Sequence, residues 1–478
     1  MNKLFILILA FATCGQATDW NQWLGPQRNS LATQSPVLID RLPAEGLSAA
    51  WKSESFKSGN SGGWSSPVVA NGSAYLFTHH RSLKDGVKLP KRKFPWLAPE
   101  KRGHLSSKGY QEYEVQRRDE DEKLGSFYAF KETLLAIDTE SGKTRWKNEK
   151  ASVFTRFLQS ATPTVENGRL YILGAPRTLR CIDTQTAKTL WETRFPGAFR
   201  DEYYMSSVTI ADGVATVFCG ILYGVDTKTG NILWPMEDEG LASTHTSPAV
   251  WNHKEQSYII ANARGKTHCI EPKTGKVRWS VDSRASHSTP LIAGDRLITY
   301  GSSRKGGLRC YTMSESGATE TWANTSTADP GASPALLGDR IYVMGERQMS
   351  CISLAKGERI WHEMLRLGQP RYTSLVIADG KIFYPWEGLL CVRAGGGEYE
   401  ALYEGKFNAT GLLATREHHW KALNLDALED AKARGEYARQ VEKQGPVNCT
   451  NAAIADGKMY LRMKNHLACY DLRASSDE

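Results

Sequence analysis

The chain has 478 residues, 23% of them charged, with 60 Lys and Arg against 52 Asp and Glu. That formal excess of +8 is too mild to imply nucleic acid. Beyond the first residues, no segment holds the roughly 18 consecutive apolar residues of a membrane-spanning helix.

The N-terminus, "MNKLFILILAFATCGQATDW", places one Lys before an apolar run from Leu4 to Ala12. That is the length of a signal-peptide core and too short to span a bilayer. Gly15-Gln16-Ala17 supplies small residues for cleavage after Ala17, so residues 1–17 are expected to be a signal peptide. An exported protein follows, periplasmic or secreted. Lipidation at Cys14 is the alternative, although Phe11-Ala12-Thr13 is a poor match to a lipidation motif. Residues 18–46 form an N-terminal extension ahead of the repeats.

From residue 47 onward one unit recurs. Its first half is Ser/Thr-Pro, two apolar residues, a short turn and an alternating strand, as in "SSPVVANGSAYLF" from Ser65, "ATPTVENGRLYIL" from Ala161 and "STPLIAGDRLITY" from Ser288. Asn-Gly and Asp-Gly between alternating runs predict two-residue hairpin turns. The second half ends in Trp: "LAIDTESGKTRW" at Trp146, "RCIDTQTAKTLW" at Trp191, "YGVDTKTGNILW" at Trp234, "HCIEPKTGKVRW" at Trp279 and a looser "SCISLAKGERIW" at Trp361. An Asp able to bond its own backbone, followed by Gly, turns the chain there. Each copy is thus a four-stranded antiparallel unit of about 40 residues, the period of a propeller blade.

The position after the Ser/Thr falls on Pro67, Pro163, Val208, Pro248, Pro290, Pro334, Leu375 and Ala452, eight copies. The spacing is 40 to 45 residues except for 96 at the start and 77 at the end, which marks insertions at 80–130 in the first blade and 404–446 before the last. The eighth copy stops after three strands, and "GLSAAWKS" carries a matching strand with Trp51 in the Trp position. The expected fold is all-β: an eight-bladed propeller over 47–475, closed by residues 47–53 because closure removes exposed edges. Seven blades is the alternative, since the last two copies lack the Trp.

Without Cys14 eight cysteines remain, and Cys181, Cys269, Cys310, Cys351, Cys391 and Cys469 share one repeat position where Ala136 and Gly224 stand in other copies. A site that takes Cys, Ala or Gly is small and buried, and equivalent sites in neighbouring blades lie beyond the ~7 Å Cα limit for a disulfide. Packed thiols are expected, with no metal.

"CIDTQTAKTLW", "GVDTKTGNILW" and "CIEPKTGKVRW" resemble the repeat of the pyrroloquinoline-quinone-like propellers, a group that includes quinoprotein dehydrogenases and BamB-type outer-membrane assembly proteins. "DWNQWLGPQRNS" (Asp19 to Ser30) is similar to the opening of many exported bacterial members. The resemblance implies that Trp51, Trp146, Trp191, Trp234, Trp279, Trp322 and Trp361 are structural, docking between blades. It also implies, for the dehydrogenases, a quinone held with Ca²⁺ by Glu, Asn and Asp, a catalytic Asp and an adjacent cysteine pair. This chain has no Cys-Cys dipeptide, is shorter than a typical dehydrogenase and shows no match to those ligands. Asp201 and Glu202 in "RDEYYM" are an acidic pair in a loop. No catalytic residue, cofactor or metal is therefore expected, with an oxidoreductase using pyrroloquinoline quinone (PQQ) and Ca²⁺ as the alternative.

A ligand site is expected at the channel mouth. The residue two before each Ser/Thr gives a ring of Trp64, Ser160, Met205, His245, His287, Gly331, Tyr372 and Cys449. Trp64, His245, His287 and Tyr372 are its recognition candidates. A second set of loops contributes Arg177, Arg264, Arg304, Lys305, Arg347, Trp386 and Lys464. Convergent cations and aromatics would suit an anionic or carbohydrate-like ligand.

Residues 81–108 carry nine Lys and Arg against Asp85 and Glu100, with Phe94, Trp96 and three prolines in "KLPKRKFPWLAPEKR". A loop that touches anionic lipid, an envelope polymer or a partner protein is expected, with "YEVQRRDEDEK" as a local neutraliser. The second insertion, rich in helix formers, predicts one or two helices over about 413–443; adjacent His418 and His419 would point apart. The function read from sequence is a non-catalytic binding or scaffold protein for an envelope partner or an anionic or carbohydrate ligand, with no nucleic acid.

Overall fold

A computed structural model describes residues 19–197, 204–237, 242–243, 245–366 and 372–475. Residues 1–17, expected to be a signal peptide, and the Asp201–Glu202 pair lie outside the described residues.

The repeats build eight antiparallel sheets around one axis, whose innermost strands are Val68–Ala70, Thr164–Glu166, Thr209–Ala211, Ala249–His253, Leu291–Ala293, Ala335–Leu337, Val376–Ala378 and Ala453–Ala455. These define blades 1 to 8, so the seven-bladed alternative falls. Closure comes from Trp51–Lys52, which pairs antiparallel with Leu467–Asp471 in the register Trp51↔Cys469 and Lys52↔Ala468. One sheet thereby joins chain segments from both ends.

The register explains the small site. Tyr171, Cys181 and Trp191 sit opposite one another on three adjacent strands, as do Tyr75, Ala136 and Trp146, and Tyr460, Cys469 and Trp51. The middle residue lies under the Trp ring: a Cβ on Gly224 would stand 2.1 Å from Trp234. All eight described cysteines are free of disulfides, and seven are buried.

Each Trp then reaches into the next blade. The indole N–H of Trp146 donates to Thr184 O at 2.8 Å, Trp191 to Thr227 O at 3.1 Å, Trp234 to Pro272 O at 2.7 Å, Trp279 to Ser314 O at 2.9 Å and Trp322 to Leu354 O at 3.0 Å. Trp51 does the same across the seam, to Thr139 O at 2.7 Å. Trp361 packs edge-on against Tyr399 instead. At the seam the turn residue is held to glycine twice over: Gly142 has φ +69°, and its Cβ would lie 2.7 Å from the Trp51 ring, whereas Ala187 takes the equivalent turn of blade 2 at φ +60°.

A second belt runs around the channel. The amide of Ser66 donates to Thr162 Oγ1, Thr162 to Ser207 Oγ, Ser207 to Ser247 Oγ, Thr289 to Ser333 Oγ, Ser333 to Ser374 Oγ and Ser374 to Asn451 Oδ1. The Ser/Thr of the repeat is therefore an inter-blade tie. Proline after it needs no donor of its own there.

The N-terminal extension threads the channel and bonds to all eight blades. Trp20 O accepts from Val69 N, Asn21 O from Val165 N, Asn29 O from Leu336 N and Ser30 O from Ile377 N. Arg28 donates to Val208 O and Pro248 O, Trp23 to Thr289 Oγ1, and Ile39 N to Leu472 O. Leu31–Ala32 lies parallel to Val376–Ala378.

The insertions sit outside the wheel. In the first, the basic loop is followed by a 19-residue helix, α1 (Ser107–Gly125), capped by the Ser106 side chain. The sequence expectation named the charges of this stretch but not the helix; its mean apolarity is low and only Arg117, Leu124 and Gly125 are buried, so no apolar periodicity announced it. Its acids do neutralise the loop locally: Glu120 accepts from the Lys93 and Phe94 amides, and Asp121 pairs with Arg92 at 2.5 Å. The second insertion forms α2 (Arg416–Ala422) and α3 (Asp430–Gln440). His418 and His419 diverge, contacting Ala44 O and Lys406 O.

Candidate functional site

With the extension crossing the channel, the mouth becomes a floored recess of about 470 Å³. Trp23 forms part of the floor, its indole N–H held by Thr289 Oγ1 at 2.9 Å. All eight ring positions expected from the repeat line this recess: Trp64, Ser160, Met205, His245, His287, Gly331, Tyr372 and Cys449. The reason is geometric: the Ser/Thr belt holds each blade at one depth, so the residue two before it is carried to one rim.

The wall is aromatic and weakly polar. His245 and His287 from blades 4 and 5 face each other with ring centroids 4.7 Å apart. Burial, and then the neighbouring His287, lower the His245 pKa to about 4, and burial lowers that of His287, so both rings are neutral at pH 7. Tyr372, 43% exposed and in a left-handed backbone conformation, leans on Gly331, where a Cβ would meet its ring at 3.2 Å. The Trp64 amide is tied to Ser160 Oγ at 3.2 Å. Among the described residues lining the recess there is no Asp, Glu, Lys or Arg.

The second loop set does not converge on it. Arg177 is 8% exposed and donates to Tyr204 Oη at 2.7 Å and Cys219 O at 3.0 Å, which makes it a packing residue of blades 2 and 3. Arg304 is paired with Glu346 at 2.5 Å, and Trp386 lies beneath Lys406, whose Nζ is 3.5 Å from the ring centroid. Arg264 and Arg347 are exposed and occupy the positive-φ positions of tight turns. Lys464 bonds to Lys443 O. These turns join the second and third strands, farther from the axis than the inner strand, so their tips form an outer circle.

Sequence reasoning missed four contributors, Trp23, Asn60, Phe157 and Pro330. Trp23 belongs to "DWNQWLGPQRNS", where the resemblance was visible but not the path through the channel. Phe157, 43% exposed, lies on the loop that leads into blade 2.

A second cavity, about 540 Å³, opens on the far side of the extension and is lined by Gln22, Arg28, Glu166 and Asn252 among others. Arg28 is 3% exposed and meets, among the described residues, only neutral acceptors: Gln22 Oε1 at 3.0 Å, Pro248 O at 2.9 Å and Val208 O. Burial lowers its pKa to about 9, still leaving a cation at neutral pH.

Eight blades, seven of them carrying the inter-blade Trp, around a floored mouth define a propeller of the pyrroloquinoline-quinone-like repeat class. The family described as outer membrane protein assembly factor BamB matches residues 131–369, half of the chain, and the chain belongs to that family. A quinohemoprotein alcohol dehydrogenase, ADH-IIG of Pseudomonas putida, is 22% identical over 215 residues, 38% of this chain and 30% of the dehydrogenase. The match thus spans under a third of that relative's length. Among solved structures, a europium-containing methanol dehydrogenase superimposes with TM-score 0.57 at 11% identity, over 95% of this chain and 98% of that one. A quinohemoprotein alcohol dehydrogenase from Comamonas testosteroni gives 0.57 at 10%, over 96% and 81%. At these identities the likeness shows the fold alone.

Proposed function

We propose that the protein is an exported, non-catalytic binding propeller that takes an apolar or aromatic group of a ligand, or of an envelope partner, into the recess at the channel mouth. The observation that carries this reading is the recess itself: eight blades each present one residue to it, and the extension closes its floor with Trp23. A concave, mostly apolar site with a few convergent polar groups is what a small apolar group requires.

The donor set does not fit a quinone with Ca²⁺. That ion takes six to eight oxygens, several from carboxylates, and the described wall offers one side-chain amide, Asn60, beside hydroxyls, imidazoles and indoles, and no carboxylate. Asp329, beside the wall residue Pro330, holds the Gly331 and Ala332 amides at 2.8 and 2.6 Å. The second reading, a quinone-dependent oxidoreductase, draws on the dehydrogenase match. Incubation with PQQ, Ca²⁺ and a primary alcohol is expected to give no dye reduction, and turnover would reverse the assignment.

Titration with the neutral fluorophore N-phenyl-1-naphthylamine tests the recess. Saturable one-to-one binding, weakened about tenfold by Tyr372→Ala or Phe157→Ala, is expected. Affinity that ignores both substitutions would show that the recess is not the site. Export is checked by the mature N-terminus, expected at Thr18.

A further inference from the structure

Beside the recess lies a cleft of different chemistry, about 510 Å³, between α1, the Leu89–Arg92 stretch of the basic loop and the loop that leads into blade 2. Arg81, Arg92, Arg117 and Arg156 all line it. Two carboxylates serve them: Asp121 pairs with Arg92 at 2.5 Å and with Arg117 at 3.3 Å, while Glu114 pairs with Arg117 at 2.7 Å and lies 3.6 Å from Arg156. Arg81 sits over the Tyr128 ring at 5.2 Å. Four guanidiniums against two carboxylates leave a surplus of two positive charges. Two donors buried in this wall, Arg156 Nε and Thr155 Oγ1, have no hydrogen-bond partner among the described residues, and Thr155 is 2% exposed. Buried donors without acceptors carry a cost that an acceptor-rich guest would relieve.

The cleft and the recess share Asn60, Trp64 and Phe157 as a common wall. One chamber therefore has no charged side chain among its described lining residues, and the chamber next to it holds excess cation. The cleft is built by the first insertion, which supplies Arg81, Arg92 and Arg117; the repeats alone would not make it.

We propose that the two chambers hold one guest, an amphipathic anion whose apolar part fills the recess and whose carboxylate or phosphate head lies among Arg81, Arg156 and their neighbours. Guanidinium forks match planar or tetrahedral oxyanions bidentately, which gives the head its orientation. This rests on the recess being a binding site, as argued under the proposed function, and adds the charge and class of what enters.

The test uses the full mature chain with decyl phosphate, decanoate, decanol and inorganic phosphate, followed by calorimetry and by the fluorescence of Trp23 and Trp64. At least one of the two decyl anions is expected to bind ten or more times tighter than decanol, and which one does identifies the head. Arg81→Gln with Arg156→Gln should reduce that preference to under threefold while leaving decanol unchanged. Arg81→Gln alone, at a half-buried position, should lower it in part and guards against misfolding of the double variant. Equal binding of anions and decanol overturns this inference and leaves the recess reading intact. So does a preference that survives the double substitution, or inorganic phosphate binding as tightly as decyl phosphate. If neither decanol nor the anions bind, both readings fall.

Discussion

The amide of Asn451 donates to the Ser66 hydroxyl at 2.9 Å, joining residues 385 positions apart where the two ends of the ring meet. It is the last link of the belt that holds the inner strands at one depth. Both residues are buried, so nothing from solvent replaces the bond.

Ser66→Ala should therefore cost about 1–3 kcal/mol, the penalty for stranding a buried N–H. Thermal unfolding of the variant checks this. Because the tie sits at the seam, hydrogen exchange should rise first at Ala453–Ala455 and Val68–Ala70. A uniform rise in all blades would argue that the seam has no special weakness.

Arg28 anchors the extension to blades 3 and 4 through the Val208 and Pro248 carbonyls. Arg28→Ala removes its bonds to the Pro248 and Val208 carbonyls, which then keep only the Thr209 and Thr164 hydroxyls as donors, and each bond to a charged group is worth about 1.5–3 kcal/mol. A loss of about 3 kcal/mol or more is expected. Binding of the neutral fluorophore should fall with it, since Trp23 five residues away forms part of the recess floor. Retained binding with lowered stability would separate the anchor from the floor.

Acid should destabilise the wheel before its carboxylates protonate. Burial lowers the pKa of His79 to about 3 and those of His245 and His466 to about 4. The unfolded chain protonates these rings near pH 6.5, and the folded chain does so only near 3 to 4. Stability should then be flat above pH 7 and fall as pH drops toward 4. The slope is about 1.4 kcal/mol per pH unit for a fully buried ring such as His79, and less for the two partly exposed ones. Comparing Tm at pH 7 and pH 5 for the wild type and His79→Gln measures it; an equal drop in both would exclude His79 as a source.

Cysteine reactivity should single out the recess. Cys449 is the partly exposed thiol and lies in the wall, while the other seven described cysteines are buried, with burial raising Cys181 to about 11 and Cys269, Cys391 and Cys469 to about 12. N-ethylmaleimide on the folded mature chain should add one adduct, at Cys449, and a bound recess probe should slow it. Several adducts at equal rates would contradict the packing described above.

The repeat was legible because its residues act locally. Asn-Gly and Thr-x-Thr-Gly turns, alternating strands and a terminal Trp depend on neighbours a few positions away, so they identify a blade and let blades be counted. The ring from Trp64 to Cys449 was legible for the same reason, since equivalent positions in a closed array must share a rim.

What sequence could not decide lies where distant segments meet. Arg177 and Arg304 look alike in sequence, yet one is packed between blades and the other paired at the surface, because the outer turns differ in what the next blade presents. The basic loop read as a charge patch, and only folding α1 back over it made a cleft with its own unsatisfied donors. The path of Trp20 to Ile39 through the channel is likewise invisible in a linear pattern: its partners are single amides, carbonyls and one hydroxyl spread over eight separate blades. Local chemistry thus determined the blade and the number of blades; the floor, the charge beside the mouth and the fate of each arginine came from contacts that exist only once the ring has closed.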